Sequence, residues 1–217
     1  MSDTDSFIDE VTEEVQRDKL YRVMRKYGWI AILAVIVLVG GAAWNEWTKA
    51  RKTADAQALG DAILTAIESD GPVEARIAAL SDLQPDTDAA AIVALITSAQ
   101  MAEGDARADA IAKLKAIGAR SDLPTRYTHL AQLKAVMLDR DSAPADKMDA
   151  LSALTQAGAP YRVLAHEQMA VAQIEMGDTQ GAIETLQSLM QDAEASQGLQ
   201  QRASQLIVAL GGDPVAQ

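Results

Sequence analysis

His129 and His166 are the only histidines in this chain of 217 residues, and they stand 37 positions apart. An imidazole can serve as a general base or as a metal ligand. Both tasks need company. A zinc site takes further nitrogen, sulfur or carboxylate ligands at short spacing, and here there is no cysteine and no carboxylate at ligand spacing from either ring. The two histidines occupy similar places in successive helical repeats, so they could face one another across a groove, but the pattern reads as two ordinary, partly buried rings. Paired carboxylates at Asp86 and Asp88, and at Asp139 and Asp141, could in principle share a proton. They lie in turn sequences, where the expected role is capping helix starts. No zinc-protease helix, nucleophile elbow or phosphate-binding loop occurs. The chain is therefore expected to be no enzyme, with no cofactor, metal or small-molecule substrate. Met101, Met137, Met148, Met169, Met176 and Met190 recur along the chain and read as adaptable core filler rather than a client-binding stripe.

Composition points to what must position these residues. Hydrophobic residues make up 49%, aromatics only 4%, and alanine carries much of the apolar count. Alanine is the best helix former and fits between closely packed helices. Short β-branched runs without alternation give no strand signal, so the class is all-α. Net charge is −12: residues 1–44 hold seven acids and five bases, residues 45–217 hold 24 acids and 14 bases. That surface repels phosphate backbones, which excludes a nucleic-acid partner. The absence of cysteine rules out a disulfide scaffold and leaves the redox compartment open.

From Gly28 to Trp44 the stretch "GWIAILAVIVLVGGAAW" carries no charge. It could be a cleaved export signal, a buried core helix or a membrane span. Tyr27–Trp47 is 21 residues, and about 20 residues cross a hydrocarbon core of about 30 Å. Arg25, Lys26, Tyr27 and Trp29 mark one edge, and Trp44 and Trp47 the other, as interface-seeking side chains should. A long acidic leader argues against a signal peptide. An uncleaved anchor is the reading adopted. Lys and Arg are more numerous before the span than after it, which puts the N-terminus inside. Residues 1–26 read as a short amphipathic leader, with Ser6 and Asp9 as a capping box and Phe7, Ile8, Val11 and Val15 on one face.

Beyond the span, turn signals recur: Asp70-Gly71-Pro72, Gln84-Pro85-Asp86, Gly104-Asp105, Leu123-Pro124, Ala143-Pro144, Gly158-Ala159-Pro160, Gly177-Asp178 and Gly211-Gly212. Between them lie segments of ordinary helix length. "MAEGDARADAIAKLKAI" at 101–117 resembles "IEMGDTQGAIETLQSLM" at 174–190, with the Gly-Asp pairs two periods apart. Gly104 and Gly177 are expected in left-handed turns beside Asp105 and Asp178. Ala110, Ala170 and Ala182 should let paired helices approach, and Leu114 and Leu186 should fill the space between units. Arg126–Leu138 with Lys147–Leu154 forms a middle pair, Ala54–Ser69 with Val73–Leu83 a weaker first pair, and Gln197–Leu210 a terminal cap. This is tetratricopeptide-like spacing, so the predicted fold is a single N-terminal transmembrane helix followed by an α-solenoid of degenerate helix pairs. The division is 1–26 leader, 27–47 span and 48–217 repeat domain.

The layout "SFIDEVTEEVQRDKL", then "RKYGWIAILAVIVLVGGAAWNEW", then degenerate repeats resembles the bacterial inner-membrane proteins with a tetratricopeptide repeat-like domain, of the YfgM type, which are ancillary subunits of the Sec translocon. The resemblance implies a single-pass inner-membrane protein with a periplasmic repeat domain. It implies partners in the SecYEG channel and periplasmic folding factors, among them a helper with a prolyl isomerase domain, and no catalytic residue. The expected function is a membrane-anchored protein-interaction module, chaperone-like, assisting the folding or handover of exported proteins. An envelope-assembly or cell-division scaffold is the alternative. Inner helices including Tyr127–Leu138 and Tyr161–Met176 should line the groove. The acidic balance favours extended or basic segments as ligands.

Overall fold

The computed structural model describes residues 3–214 apart from 84, 86, 104 and 105. The described residues are helical and contain no strand. Two compact units divide near residue 60.

The first unit is formed by α1, which runs Asp3–Glu68 and enters the second unit at its end. Leader, apolar run and the residues after it therefore form one helix, where the sequence suggested a separate short leader. The helix begins at Asp3, upstream of Ser6, so Ser6 is not its cap. The physical reason is a lack of breakers: no proline precedes Pro72, and the glycines at 28, 40, 41 and 60 cost a helix only about 1 kcal/mol each. The first proline stops the run. α1 ends at Glu68, and Pro72, fixed near φ −62°, starts α2, Val73–Ser81.

The second unit continues with α3 (Thr87–Glu103), α4 (Arg107–Gly118), α5 (Thr125–Leu138), α6 (Pro144–Ser152) with a 3-10 turn at Ala153–Thr155, α7 (Arg162–Glu175), α8 (Thr179–Met190) and α9 (Gln197–Ala209). Each helix packs chiefly against its neighbours in chain order. α2 packs on α3 rather than on the end of α1, so the expected first pair of Ala54–Ser69 with Val73–Leu83 is not a principal packing pair.

The buried apolar side chains fall into three clusters in succession. The first joins α3, α4 and α5 through Ala91, Leu95, Leu114, Ile117, Ala131 and Ala135. The second joins α5, α6, the 3-10 turn and α7 through Leu133, Leu151, Leu154 and Ala165. The third joins α7, α8 and α9 through Ala170, Leu186, Leu189, Leu199, Ala203 and Ile207. α5 and α7 each serve two clusters. This needs buried positions on two faces: α5 turns Ala131 and Ala135 to one cluster and Leu133 to the next, and α7 turns Ala165 to one and Ala170 to the next. α4 and α8 serve one cluster each and keep a solvated face. Every fully buried leucine contributes about 1.5–3 kcal/mol relative to exposure.

Candidate interaction surface

The turn between α7 and α8 shows how two residues reverse the chain. Gly177 has φ +80°. Its amide donates to the Ile174 carbonyl at 3.0 Å, and the Asp178 amide donates to the Gln173 carbonyl at 2.9 Å. These two bonds satisfy carbonyls that the end of α7 would leave without partners, and the left-handed residue that closes them is cheapest as glycine. Asp178 then caps α8, its carboxylate accepting from the Gly181 amide at 3.0 Å. Gly104 and Asp105 lie outside the described residues.

Around this turn, Ala170, Ala182 and Leu186 are wholly buried. Leu186 meets α9 as well as α7. Ala110 and Leu114 are buried in the α4 half of the first cluster, with Leu114 against α3 and α5.

The α5–α6 connection contradicts one expectation. Asp139 and Asp141 do not cap α6, whose cap position is Ala143 with Pro144 at the first turn. Asp139 ties the loop to itself instead. Its carboxylate accepts from the Ser142 hydroxyl at 2.8 Å, the Ser142 amide at 3.0 Å and the Asp141 amide at 3.3 Å, and pairs with Lys115 of α4 at 3.1 Å. The Ser142 hydroxyl, with its amide and the Lys115 ammonium, lowers the Asp139 carboxyl to about 2. Asp88 lies in the first turn of α3 and pairs with Arg126 of α5 at 3.4 Å; Asp86 is outside the described residues.

Ion pairs invisible to spacing arguments link helices distant in sequence. Arg202 of α9 grips the buried Glu167 of α7 with two bonds, of 2.7 and 3.0 Å. Arg162 at the start of α7 holds Asp192 and Glu194 in the α8–α9 loop. Hydrogen bonds from Arg162, and then from the Glu194 amide, lower the Asp192 carboxyl to about 2. Lys147 of α6 reaches Glu175 of α7 at 2.8 Å. Exposed pairs contribute about 0–1 kcal/mol each; Glu167 is different, since removing Arg202 would leave a buried carboxylate alone.

The two histidines stand on different helices. His129 on α5 is partly buried, with Nδ1 enclosed and without a hydrogen-bond partner among the described residues. His166 on α7 is lowered chiefly by burial and also by Arg162, against a raising influence of Asp192. Among the described residues no three histidine, aspartate or glutamate side chains are grouped to hold a metal ion. The methionines divide. Met169 and Met190 pack against clusters, whereas Met137 and Met176 are more than half exposed.

Along α1, one stretch is long and apolar enough to cross a membrane by length and composition, and none of it is buried. Trp29, Trp44 and Trp47 are exposed. Trp44 and Trp47 stand one turn apart with ring centroids at 5.4 Å, and the Arg51 guanidinium covers Trp47 at 3.9 Å. At the other edge, beside Arg25, the Lys26 ammonium lies 5.5 Å from the Tyr27 ring. Arg51 joins the expected edge residues here; a base four residues after a tryptophan on a helix is its signal in the sequence.

No curated protein matches the chain, and no solved structure does. A family match covers residues 2–210. The chain belongs to the family described as "Protein of unknown function (DUF2659)".

Proposed function

We propose that this chain is a membrane-anchored, non-enzymatic protein-interaction module. The observation that carries the reading is the succession of three clusters joined through the shared helices α5 and α7. A core that grows by adding neighbours is the design of helical repeat arrays, whose extended surface binds other proteins. The Gly177–Asp178 reversal and the capping position of α9 support a degenerate tetratricopeptide-like solenoid. The uncovered apolar stretch with tryptophans at both edges supports a single span over 27–47. The excess of Lys and Arg before that span supports a cytoplasmic N-terminus and a periplasmic repeat domain. On the resemblance of the leader and apolar run, the partners are the SecYEG channel and periplasmic folding factors, and the task is assisting exported proteins.

The test is crosslinking in intact membranes at native expression, purification of the chain, and mass spectrometry of what accompanies it. Enrichment of translocation-channel subunits and folding factors is expected. Division or outer-membrane assembly components without the channel would overturn the translocon assignment and move the module to an envelope scaffold.

A further inference from the structure

Residues 61–217 carry 22 acids and 11 bases. On such a surface a base is expected to find a carboxylate, and six of these bases do: Lys115, Arg120, Arg126, Lys147, Arg162 and Arg202. The other five, Arg76, Arg107, Lys113, Lys134 and Arg140, pair with no carboxylate among the described residues, and two of them, Lys134 and Arg140, stand near the end of α5. Met137, 57% exposed, separates two clefts. One, of about 210 Å³, lies between α3, α4 and α5 and is lined by Ala99, Ala102 and Leu138 together with Lys134. The other, of about 160 Å³, lies between α5 and α7 and is lined by Val171 together with Arg140. Among the described residues neither Lys134 nor Arg140 pairs with a carboxylate. The acids lining the second cleft are already engaged, Asp139 by Lys115 and Glu175 by Lys147. Together the two clefts are lined by three bases, Lys134, Arg140 and Lys147, and two acids, Asp139 and Glu175, so their joint balance is slightly positive on an acidic unit, with one base in each cleft that pairs with no carboxylate among the described residues and a flexible apolar side chain between them.

We propose that the clefts flanking Met137 dock an extended acidic segment of a partner protein. An apolar side chain of that segment contacts Met137, and acidic side chains on either side of it meet Lys134 and Arg140. The thioether side chain of Met137 adapts to different apolar anchors, while the two cations select charge and suppress basic competitors. This deepens the interaction reading above and rests on it. It also reverses, at this one place, the preference for basic ligands that the net charge suggested.

The test uses the full chain in detergent micelles and two fluorescent octapeptides, one alternating leucine with aspartate and one alternating leucine with lysine. Binding is followed by anisotropy at low and high salt. The acidic peptide is expected to bind the wild type about tenfold more tightly, with the preference shrinking as salt rises. The double variant Lys134→Glu with Arg140→Glu is expected to lose or invert the preference without a change in melting temperature. Met137→Ser is expected to weaken the acidic peptide about fivefold, as lost apolar contact requires. Equal binding of both peptides, or a preference that survives the double variant, would overturn this site and leave the interaction role standing. A lowered melting temperature with an unchanged preference would assign the two cations to the C-terminal end of α5 and overturn it too. Failure of the interaction role itself would show separately, as an absence of crosslinked partners in membranes.

Discussion

The α7–α8 and α5–α6 connections reverse the chain by different chemistry. At the first, backbone conformation does the work: Gly177 at φ +80° closes the end of α7, and Asp178 opens α8. At the second, no residue has positive φ, and the Asp139 carboxylate gathers the Ser142 hydroxyl, two amides and Lys115. Both solutions satisfy the polar groups that helix ends leave open. They differ in what they depend on. A left-handed glycine is indifferent to salt and pH, whereas a carboxylate clamp is built on charge.

The largest effect tests whether equal cores stand behind the two connections. Leu186 on α8 and Leu151 on α6 are both fully buried. Leu186→Ala and Leu151→Ala should each destabilise by about 3–5 kcal/mol in urea unfolding. A loss under about 1 kcal/mol at either position would mean that its helix is not packed as described. Gly177→Val comes next, at about 2 kcal/mol. Nothing lies within 4 Å of a Cβ built there, so the cost is backbone strain alone and should be the same at high and low salt. An unchanged midpoint would show that the turn does not need its left-handed residue.

Asp139→Ala should cost about 1–2 kcal/mol at neutral pH, from hydrogen bonds to a charged acceptor, and less in high salt. The Asp139 carboxyl is lowered from 3.8 to about 2. A depressed carboxyl stabilises the fold above its unfolded value, and that contribution disappears as pH falls from about 3.8 through about 2. The wild type should therefore lose its advantage over Asp139→Ala across that window, as read from paired melting curves. A gap as large at pH 2 as at neutral pH would contradict the clamp. Asp192 is lowered to the same range by Arg162, so Asp192→Asn should show the same acid dependence. The smallest effect is Asp178→Ala, about 1 kcal/mol for a lost helix cap, measured in the same unfolding series.

The contrast between the two connections also explains what the sequence revealed. Gly177-Asp178 was readable because few residues other than glycine tolerate the left-handed position, and few cap a helix as well as aspartate. Pro144 marked the start of α6 for a similar reason: its fixed φ suits the first turn. The Asp139 loop is not legible in the sequence, because an aspartate before a helix looks like a cap until the loop geometry is known. Arg162 with Asp192, and Glu167 with Arg202, lie 30 and 35 residues apart, beyond any local pattern. The continuity of α1 is hidden for a different reason. Three changes of composition suggested three segments, yet a helix ends only where capping or a breaker ends it, and none stands before Asp70-Gly71-Pro72. The clefts beside Met137 could not be read at all, since they depend on helices α3, α5 and α7 coming together.

The central claim is that residues 27–47 anchor the chain and that the helical array works on the far side of the membrane. The most direct measurement fuses a reporter active only outside the cytoplasm after Gln217 and extracts the membranes at alkaline pH. The account predicts an active reporter that stays with the membrane pellet. A silent reporter would reverse the orientation, and release of an active reporter into the soluble fraction would show that the apolar helix is not an anchor.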